Sequence, residues 1–124
     1  MKTGVEFNEL VGKIILSIDG MENESEKVRF VCSDGTIYEM WHCQECCEYV
    51  RLIDVCGDVS DIIGNIVLKA EESTSNEPDG ASESLTWTFY HIRTERGTVT
   101  LRWLGESNGY YSESVNLYRI DLVN

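Results

Sequence analysis

Two stretches of the sequence are alike and decide the fold: Glu9-Leu10-Val11-Gly12-Lys13-Ile14-Ile15-Leu16-Ser17-Ile18-Asp19 and Asp61-Ile62-Ile63-Gly64-Asn65-Ile66-Val67-Leu68-Lys69-Ala70-Glu71. They align without gaps at an offset of 52 residues. In each, a short turn of acidic and apolar residues ends at a glycine that can adopt the left-handed conformation, and a β-branched run typical of a strand follows. We therefore predict helical turns near residues 6–11 and 58–63, each followed by a strand.

The segments that follow these two stretches also match. Strands are predicted at residues 26–33, 36–42 and 49–55 in the first half and at 85–94, 98–104 and 114–122 in the second, with acidic loops at 20–25 and 72–84. The expected fold is a single mainly β domain, 1–124, a β-rich α+β fold with about seven or eight strands in antiparallel meanders. Two interpretations stay open: two pseudo-repeated units of a turn plus four strands, 6–56 and 58–122, or chance similarity between short strand–turn sequences.

The turn residues predict which side chains share a face. Asp34-Gly35 suits a two-residue turn, whereas Glu95-Arg96-Gly97 and Ser107-Asn108-Gly109 suit three-residue loops that join neighbouring strands into hairpins. These registers predict a core of Val28, Phe30, Cys32, Ile37, Trp41, Trp87, Phe89, Val99, Leu101, Trp103, Val115 and Leu117. They place on the opposite face Tyr38, Met40, His42, Tyr90, Arg102 and several hydroxyl residues.

Composition restricts the function classes. The 124 residues include 22 acids and 10 bases, for a net charge of −12, which argues against a broad nucleic-acid or membrane-surface footprint. The N-terminal residues lack an apolar signal region, and the longest apolar run is far shorter than a membrane span, so we expect a cytoplasmic protein. Five cysteines, an odd number, fall between Cys32 and Cys56 and are expected to be thiols rather than a disulfide framework.

The segment His42-Cys43-Gln44-Glu45-Cys46-Cys47-Glu48 has three chemical interpretations. A zinc site would have to be built from His42, Cys43, Cys46 and Cys56, or from His91, because no second pair of ligands is present. A thiolate nucleophile would depend on His42, and the surrounding glutamates would raise the thiol pKa instead of lowering it. Packing of small thiols is the ordinary alternative. We therefore predict no catalytic residues, no metal and no cofactor, with Cys–His catalysis as the alternative.

The segment Gly105-Glu106-Ser107-Asn108-Gly109-Tyr110-Tyr111-Ser112-Glu113 combines aromatic rings, an amide and carboxylates. It follows residues 87–103, a net-positive stretch with three arginines and one glutamate. Such a mixture can hold a planar polar ligand by stacking and directed hydrogen bonds. The predicted ligand-binding residues are Arg102, Glu106, Asn108, Tyr110, Tyr111, His42, Glu48 and Tyr90.

These two segments, with Trp87-Thr88-Phe89-Tyr90 and Gly97-Thr98-Val99-Thr100-Leu101-Arg102-Trp103, resemble an uncharacterised family of small proteins encoded mostly by bacteriophages and prophages. The resemblance spans nearly the whole chain, and Cys43 departs from the family pattern, which weakens the zinc interpretation. It implies an origin in an infected or lysogenic bacterial host cell and no particular mechanism.

Phage proteins of this kind often counter host immunity, and one class sequesters nucleotide-derived second messengers. By that analogy the expected function is a non-catalytic binding protein, an anti-defence sponge for a small nucleotide-like ligand, which forms a homo-oligomer. The alternatives are an acidic inhibitor that binds a host protein as a nucleic-acid mimic, and a small zinc-stabilised module.

Overall fold

The computed structural model describes residues 2–42, 48–78, 84–107 and 115–120. Within these ranges the chain is mainly β, which confirms the predicted fold class. It forms nine strands, β1 (Lys2–Val5), β2 (Ile15–Asp19), β3 (Lys27–Cys32), β4 (Ile37–Trp41), β5 (Tyr49–Cys56), β6 (Lys69–Pro78), β7 (Ser84–Thr94), β8 (Gly97–Ser107) and β9 (Asn116–Ile120). Two short 3-10 turns, Phe7–Leu10 and Val59–Ile62, lie where helical turns were predicted. The described residues include no helix with the length and hydropathy of a membrane span.

The strands form two antiparallel sheets that exchange a strand. One sheet has the order β1-β9-β4-β3-β2, and the other has the order β5-β8-β7-β6. Each half of the chain thus contributes a three-stranded meander, β2-β3-β4 or β6-β7-β8, and each meander is completed by the fourth strand of the other half. The two halves have the same order of elements, as the pseudo-repeat interpretation requires, while the duplication itself stays a prediction.

The two similar stretches contact each other directly. Ile14 and Ile66 form an antiparallel bridge. The amide of Gly12 donates to the carbonyl of Val67 at 2.8 Å, and the amide of Gly64 donates to the carbonyl of Ile15 at 2.7 Å. Each of these partners is related to its counterpart by the same 52-residue offset, so the contact is symmetric within the chain.

The core lies between the two sheets and is closed by the 3-10 turns. Its buried members include Phe7, Leu10, Ile15, Val28, Phe30, Tyr38, Met40, Leu52, Ile62, Ile92, Val99, Leu101, Trp103 and Leu117. The buried Tyr38 hydroxyl donates a hydrogen bond to the Glu9 carboxylate at 2.8 Å. Glu9 also forms an ion pair with Arg119 at 3.0 Å. Burial and the Glu9 carboxylate raise the pKa of Tyr38, which keeps this donor protonated.

The β3–β4 register differs from the predicted one by one residue. Phe30 pairs with Tyr38, and the backbone amide of Cys32 donates to the carbonyl of Thr36. The connecting loop therefore has three residues, and it ends at Gly35, which has φ +88°. A left-handed residue closing a three-residue loop shifts the pairing, and a one-residue shift exchanges the two faces of a strand. Tyr38 and Met40 are therefore buried, whereas the predicted core residues Ile37 and Trp41 are half-buried.

The β7–β8 connection also differs. Thr94 pairs with Gly97, which leaves a two-residue connection instead of the predicted three. The Thr94 hydroxyl accepts from the amide of Arg96 at 3.2 Å and donates to the carbonyl of Asp61 at 2.5 Å, which fixes this tight turn. The predicted faces of β7 are consequently reversed: Tyr90 is buried, and Trp87 and Phe89 are half-buried on the outer face. Val99, Leu101 and Trp103 on β8 are buried as predicted.

Two further predictions are corrected by the sheets. The expected hairpin between residues 98–104 and 114–122 is absent, because β8 lies between β5 and β7 and has no free edge, while β9 lies between β4 and β1. The predicted acidic loop 72–84 is partly strand, since β6 pairs with β7 as far as Pro78. Val115 and Leu117 are buried as predicted, although their neighbours differ.

Gly57 joins the two halves of the chain, and its substitution tests the packing there. Gly57 has φ +104°, and a Cβ would lie 2.5 Å from the carbonyl oxygen of Thr98; Gly35 has φ +88° and open space around it. Gly35→Ala is expected to cost about 1–2 kcal/mol from left-handed strain alone. Gly57→Ala is expected to cost about 1–3 kcal/mol more because β8 must move. Urea unfolding of both variants measures the difference, and equal losses would contradict the close approach.

Candidate functional site

The strand pairing brings the two unusual segments of the sequence to one end of the molecule. Residues 42–48 connect β4 to β5, and residues 108–115 connect β8 to β9. Because Trp41 pairs with Asn116 and Tyr49 pairs with Glu106, the two connections begin and end beside each other. We call this end, formed by Trp41, His42, Glu48, Tyr49, Arg51, Glu106 and Asn116, the motif end.

A buried acid–base pair lies at the root of the first segment. His42 Nε2 is 3.3 Å from Glu48 Oε2, and only 4% and 0% of the two side chains are exposed. These residues flank positions 43–47 in the sequence, so their contact ties together the two ends of that segment. Both were predicted to bind ligand, but their burial favours a role in positioning the segment.

An ion pair connects β5 to β8 at the root of the second segment. Arg51 Nη1 lies 3.1 Å from Glu106 Oε2, and the Arg51 guanidinium lies 4.4 Å from the centre of the Tyr49 ring. Arg51 is 13% exposed and Glu106 is 43% exposed, so this pair opens to solvent on the glutamate side. The sequence interpretation missed Arg51, whose only signal is a charge between the apolar residues Val50 and Leu52.

Arg102 lies on the outer face of the same sheet, as predicted. Its guanidinium is 3.3 Å from Asp54 Oδ2 and 5.0 Å from the centre of the Trp87 ring, and the side chain is 37% exposed. Trp87 was predicted to be in the core and instead provides an aromatic surface for this arginine. Two of the arginines on the outer face of β5, β8 and β7, Arg51 and Arg102, are therefore each held by one carboxylate and one aromatic ring.

Buried tryptophan and arginine donors at and near the motif end make no hydrogen bond among the described residues. They are Nε1 of Trp41, Nε1 of Trp103, and Nε and Nη1 of Arg51, the last of which contacts Glu106 as an ion pair. Trp41 stacks on Tyr118, with 4.5 Å between ring centres. Buried donors are normally satisfied, so these atoms are exceptions to the general pattern within the part of the chain that the structure describes.

Of the remaining predicted site residues, Tyr90 is described by the structure and does not form part of this arrangement. Tyr90 is 2% exposed, and its hydroxyl donates to the carbonyl of Val115 at 3.0 Å, so it lies in the core and its ligand role stays a prediction that this position does not favour. Its register places it on the core face of β7, and burial raises its pKa. Asn108, Tyr110 and Tyr111 lie outside the described residues.

Two of the candidate zinc ligands, Cys56 and His91, lie far from His42. Cys56 is the last residue of β5, seven residues after Tyr49, which places it about 23 Å along the strand from the motif end. His91 also lies at that far end, since it pairs with Thr100, which pairs with Cys56. Cys43 and Cys46 are outside the described ranges, within which no group of three or more potential metal ligands occurs.

Comparison with known proteins gives a family. A family model described as a domain of unknown function, DUF7448, matches residues 8–117, which is most of the chain. No curated protein and no solved structure is significantly similar.

Removing His42 tests the buried pair. His42→Ala is expected to cost about 3 kcal/mol, because it removes the imidazole that contacts the fully buried Glu48 carboxyl. Lys13→Ala serves as the control: it removes a partner of Asp34 from a pair at 2.6 Å whose side chains are 27% and 48% exposed, and exposed pairs contribute less. Urea unfolding measures both, and a His42→Ala loss no larger than that of Lys13→Ala would contradict the assigned role.

Zinc content tests the metal alternative. Protein purified without chelator is expected to contain zinc well below stoichiometric amounts, because Cys56 and His91 are remote from His42 and a tetrahedral site needs four ligands. Elemental analysis is the measurement. Stoichiometric zinc that disappears in Cys46→Ser would establish a metal site and overturn this expectation.

Proposed function

The chain belongs to the DUF7448 family, a domain of unknown function, and we propose that it is a non-catalytic binding protein that captures a small nucleotide-like ligand at the motif end. The observation that carries the proposal is the side-by-side origin of the two unusual segments, fixed by the Trp41–Asn116 and Tyr49–Glu106 pairings. A ligand placed there would meet groups from both segments and from the outer face of the sheet.

The chemistry of that surface supports an anionic, aromatic ligand. Arg51 and Arg102 are cations placed over aromatic rings, and guanidinium groups bind phosphate by paired, charge-assisted hydrogen bonds. The rings of Tyr49 and Trp87 provide surfaces on which a base can stack. In this proposal Arg102 contacts phosphate and Glu106 contacts ribose or a base edge, while His42 and Glu48 hold the first segment in place.

The biological role that we propose is an anti-defence sponge. The resemblance to proteins of phages and prophages supports an origin in an infected or lysogenic bacterial cell, acting in its cytoplasm. A protein that sequesters a nucleotide-derived second messenger requires a binding site and no catalytic group, which agrees with the acidic surroundings that disfavour a thiolate at residues 43–47.

A second candidate is an acidic inhibitor of a basic host protein. The observation that favours it is the net charge of −12, because a strongly acidic surface can imitate nucleic acid and attract basic partners. In this alternative the partner would contact the acidic surface broadly and would not depend on Arg102.

Substitution of Arg102 separates the two candidates. Arg102→Ala is expected to weaken ligand capture by about 1.5–3 kcal/mol, the scale of a hydrogen bond to a charged group. Arg93→Ala is the matched control, since it removes the same charge from an exposed residue near the opposite end of β7. Calorimetry with linear and cyclic nucleotides and ADP-ribose derivatives is the measurement.

Two outcomes would contradict the sponge. Equal weakening by Arg102→Ala and Arg93→Ala would show that general charge, not this site, governs binding. No binding of any nucleotide, together with a stable complex with a basic host protein that survives Arg102→Ala, would leave the acidic inhibitor as the function.

A further inference from the structure

A line of aliphatic side chains is exposed where the two halves of the chain meet. Leu16, Ile66 and Leu68 are 53%, 44% and 52% exposed, and Ile14 is half-buried. The intervening residues Ile15 and Val67 are 0% and 1% exposed. The line is therefore the solvent-facing side of a short ribbon whose other side belongs to the core.

The line is symmetric within one molecule. Ile14 lies directly opposite Ile66 in the bridge between the two stretches, and Leu16 and Leu68 follow at equal steps in opposite directions. Leu16 and Leu68 occupy equivalent positions at the 52-residue offset, as do Ile14 and Ile66. A half-turn about the centre of the bridge thus exchanges the two ends of the line.

This line lies at the end of the molecule opposite to the motif end. The carbonyl of Ile14 accepts from the amide of Ser33 in the β3–β4 turn. The amide of Leu68 donates to the carbonyl of Arg93, which lies next to the β7–β8 turn. Both turns are at the ends of β4 and β8 that are remote from residues 42–48 and 105–113. Ligand capture at the motif end leaves this surface uncovered.

The two lysines next to the line are already paired. Lys13 is 2.6 Å from Asp34, and Lys69 is 3.3 Å from Glu71. Each lysine is a sequence neighbour of the line, and each has an acidic partner close by. These two pairs add no net charge beside the line, and Arg93, whose carbonyl accepts from the Leu68 amide, is a cation; in a chain of net charge −12 two copies therefore repel each other less here than at the acidic surfaces.

We propose that this line is the contact surface for a second copy of the chain, which docks on it through a twofold axis. A surface that is its own image under a half-turn suits an isologous contact, in which both copies use the same residues. The largest exposed apolar patch on a typical monomer covers about 300–600 Å². A specific interface buries about 1,000 Å² or more over both partners, so the residues around the line contribute to the contact together with the line itself.

Sedimentation velocity of the full chain over a range of concentrations tests the proposal. The wild type is expected to form a dimer that tightens with added salt, because salt screens the repulsion between acidic copies. Leu68→Glu is expected to raise the dimer dissociation constant about tenfold or more, since it places an unpaired charge in an apolar contact. Leu16→Glu should have a similar effect, because the two leucines are equivalent.

Asn23→Glu, an equal charge change at an exposed loop residue, is the control and should leave the dimer intact. Leu68→Ala, which adds no charge, should weaken the dimer to a smaller extent, and circular dichroism confirms that each variant is folded. A wild type that stays monomeric at all concentrations, or a dimer unaffected by both glutamate variants, would overturn the proposal. Leu68→Glu is expected to bind ligand at the motif end as the wild type does, so this test is independent of the proposed function.

Discussion

The two sheets depend on an exchange of strands between the halves of the chain. The meander β2-β3-β4 is completed by β9, and the meander β6-β7-β8 is completed by β5. Neither half can cover the apolar face of its own meander, because only one of its four strands lies in the opposite sheet. Folding is therefore expected to require both halves, and a small domain of this size gains one continuous core instead of two marginal ones.

The exchange also decides where the unusual segments lie. A strand that leaves one sheet to complete the other needs a connection that crosses between them, and residues 42–48 and 108–115 are these two crossings. Their roots are fixed by strand pairing and by the His42–Glu48 and Arg51–Glu106 contacts. The sequence features that carry the proposed function are thus the same ones that the topology requires at one end of the molecule.

Local pattern predicted the strands better than their partners. The faces of β8 follow from alternation alone, since Leu101 and Trp103 are apolar neighbours of Arg102. The faces of β4 and β7 depended on the turn, and one residue more or less in a loop reversed them, as Tyr38 and Tyr90 show. A crossing and a hairpin loop contain the same turn residues, so the position of β9 could not be read from Asn108-Gly109. Arg51 was missed because its role depends on Glu106, which is distant in sequence.

The binding function that we propose would require an acidic protein to keep its few cations available to an anionic ligand, and the ion pairs of the outer face agree with this requirement. Arg51 and Arg102 are each held beside one partly exposed carboxylate, with an aromatic ring nearby. The Arg102–Asp54 pair is exposed on both sides, and such pairs contribute little stability, so a phosphate could replace Asp54 at small cost while the Trp87 ring keeps the guanidinium in place. The carboxylates then serve to orient the arginines before a ligand arrives, which lowers the entropy that binding would otherwise lose.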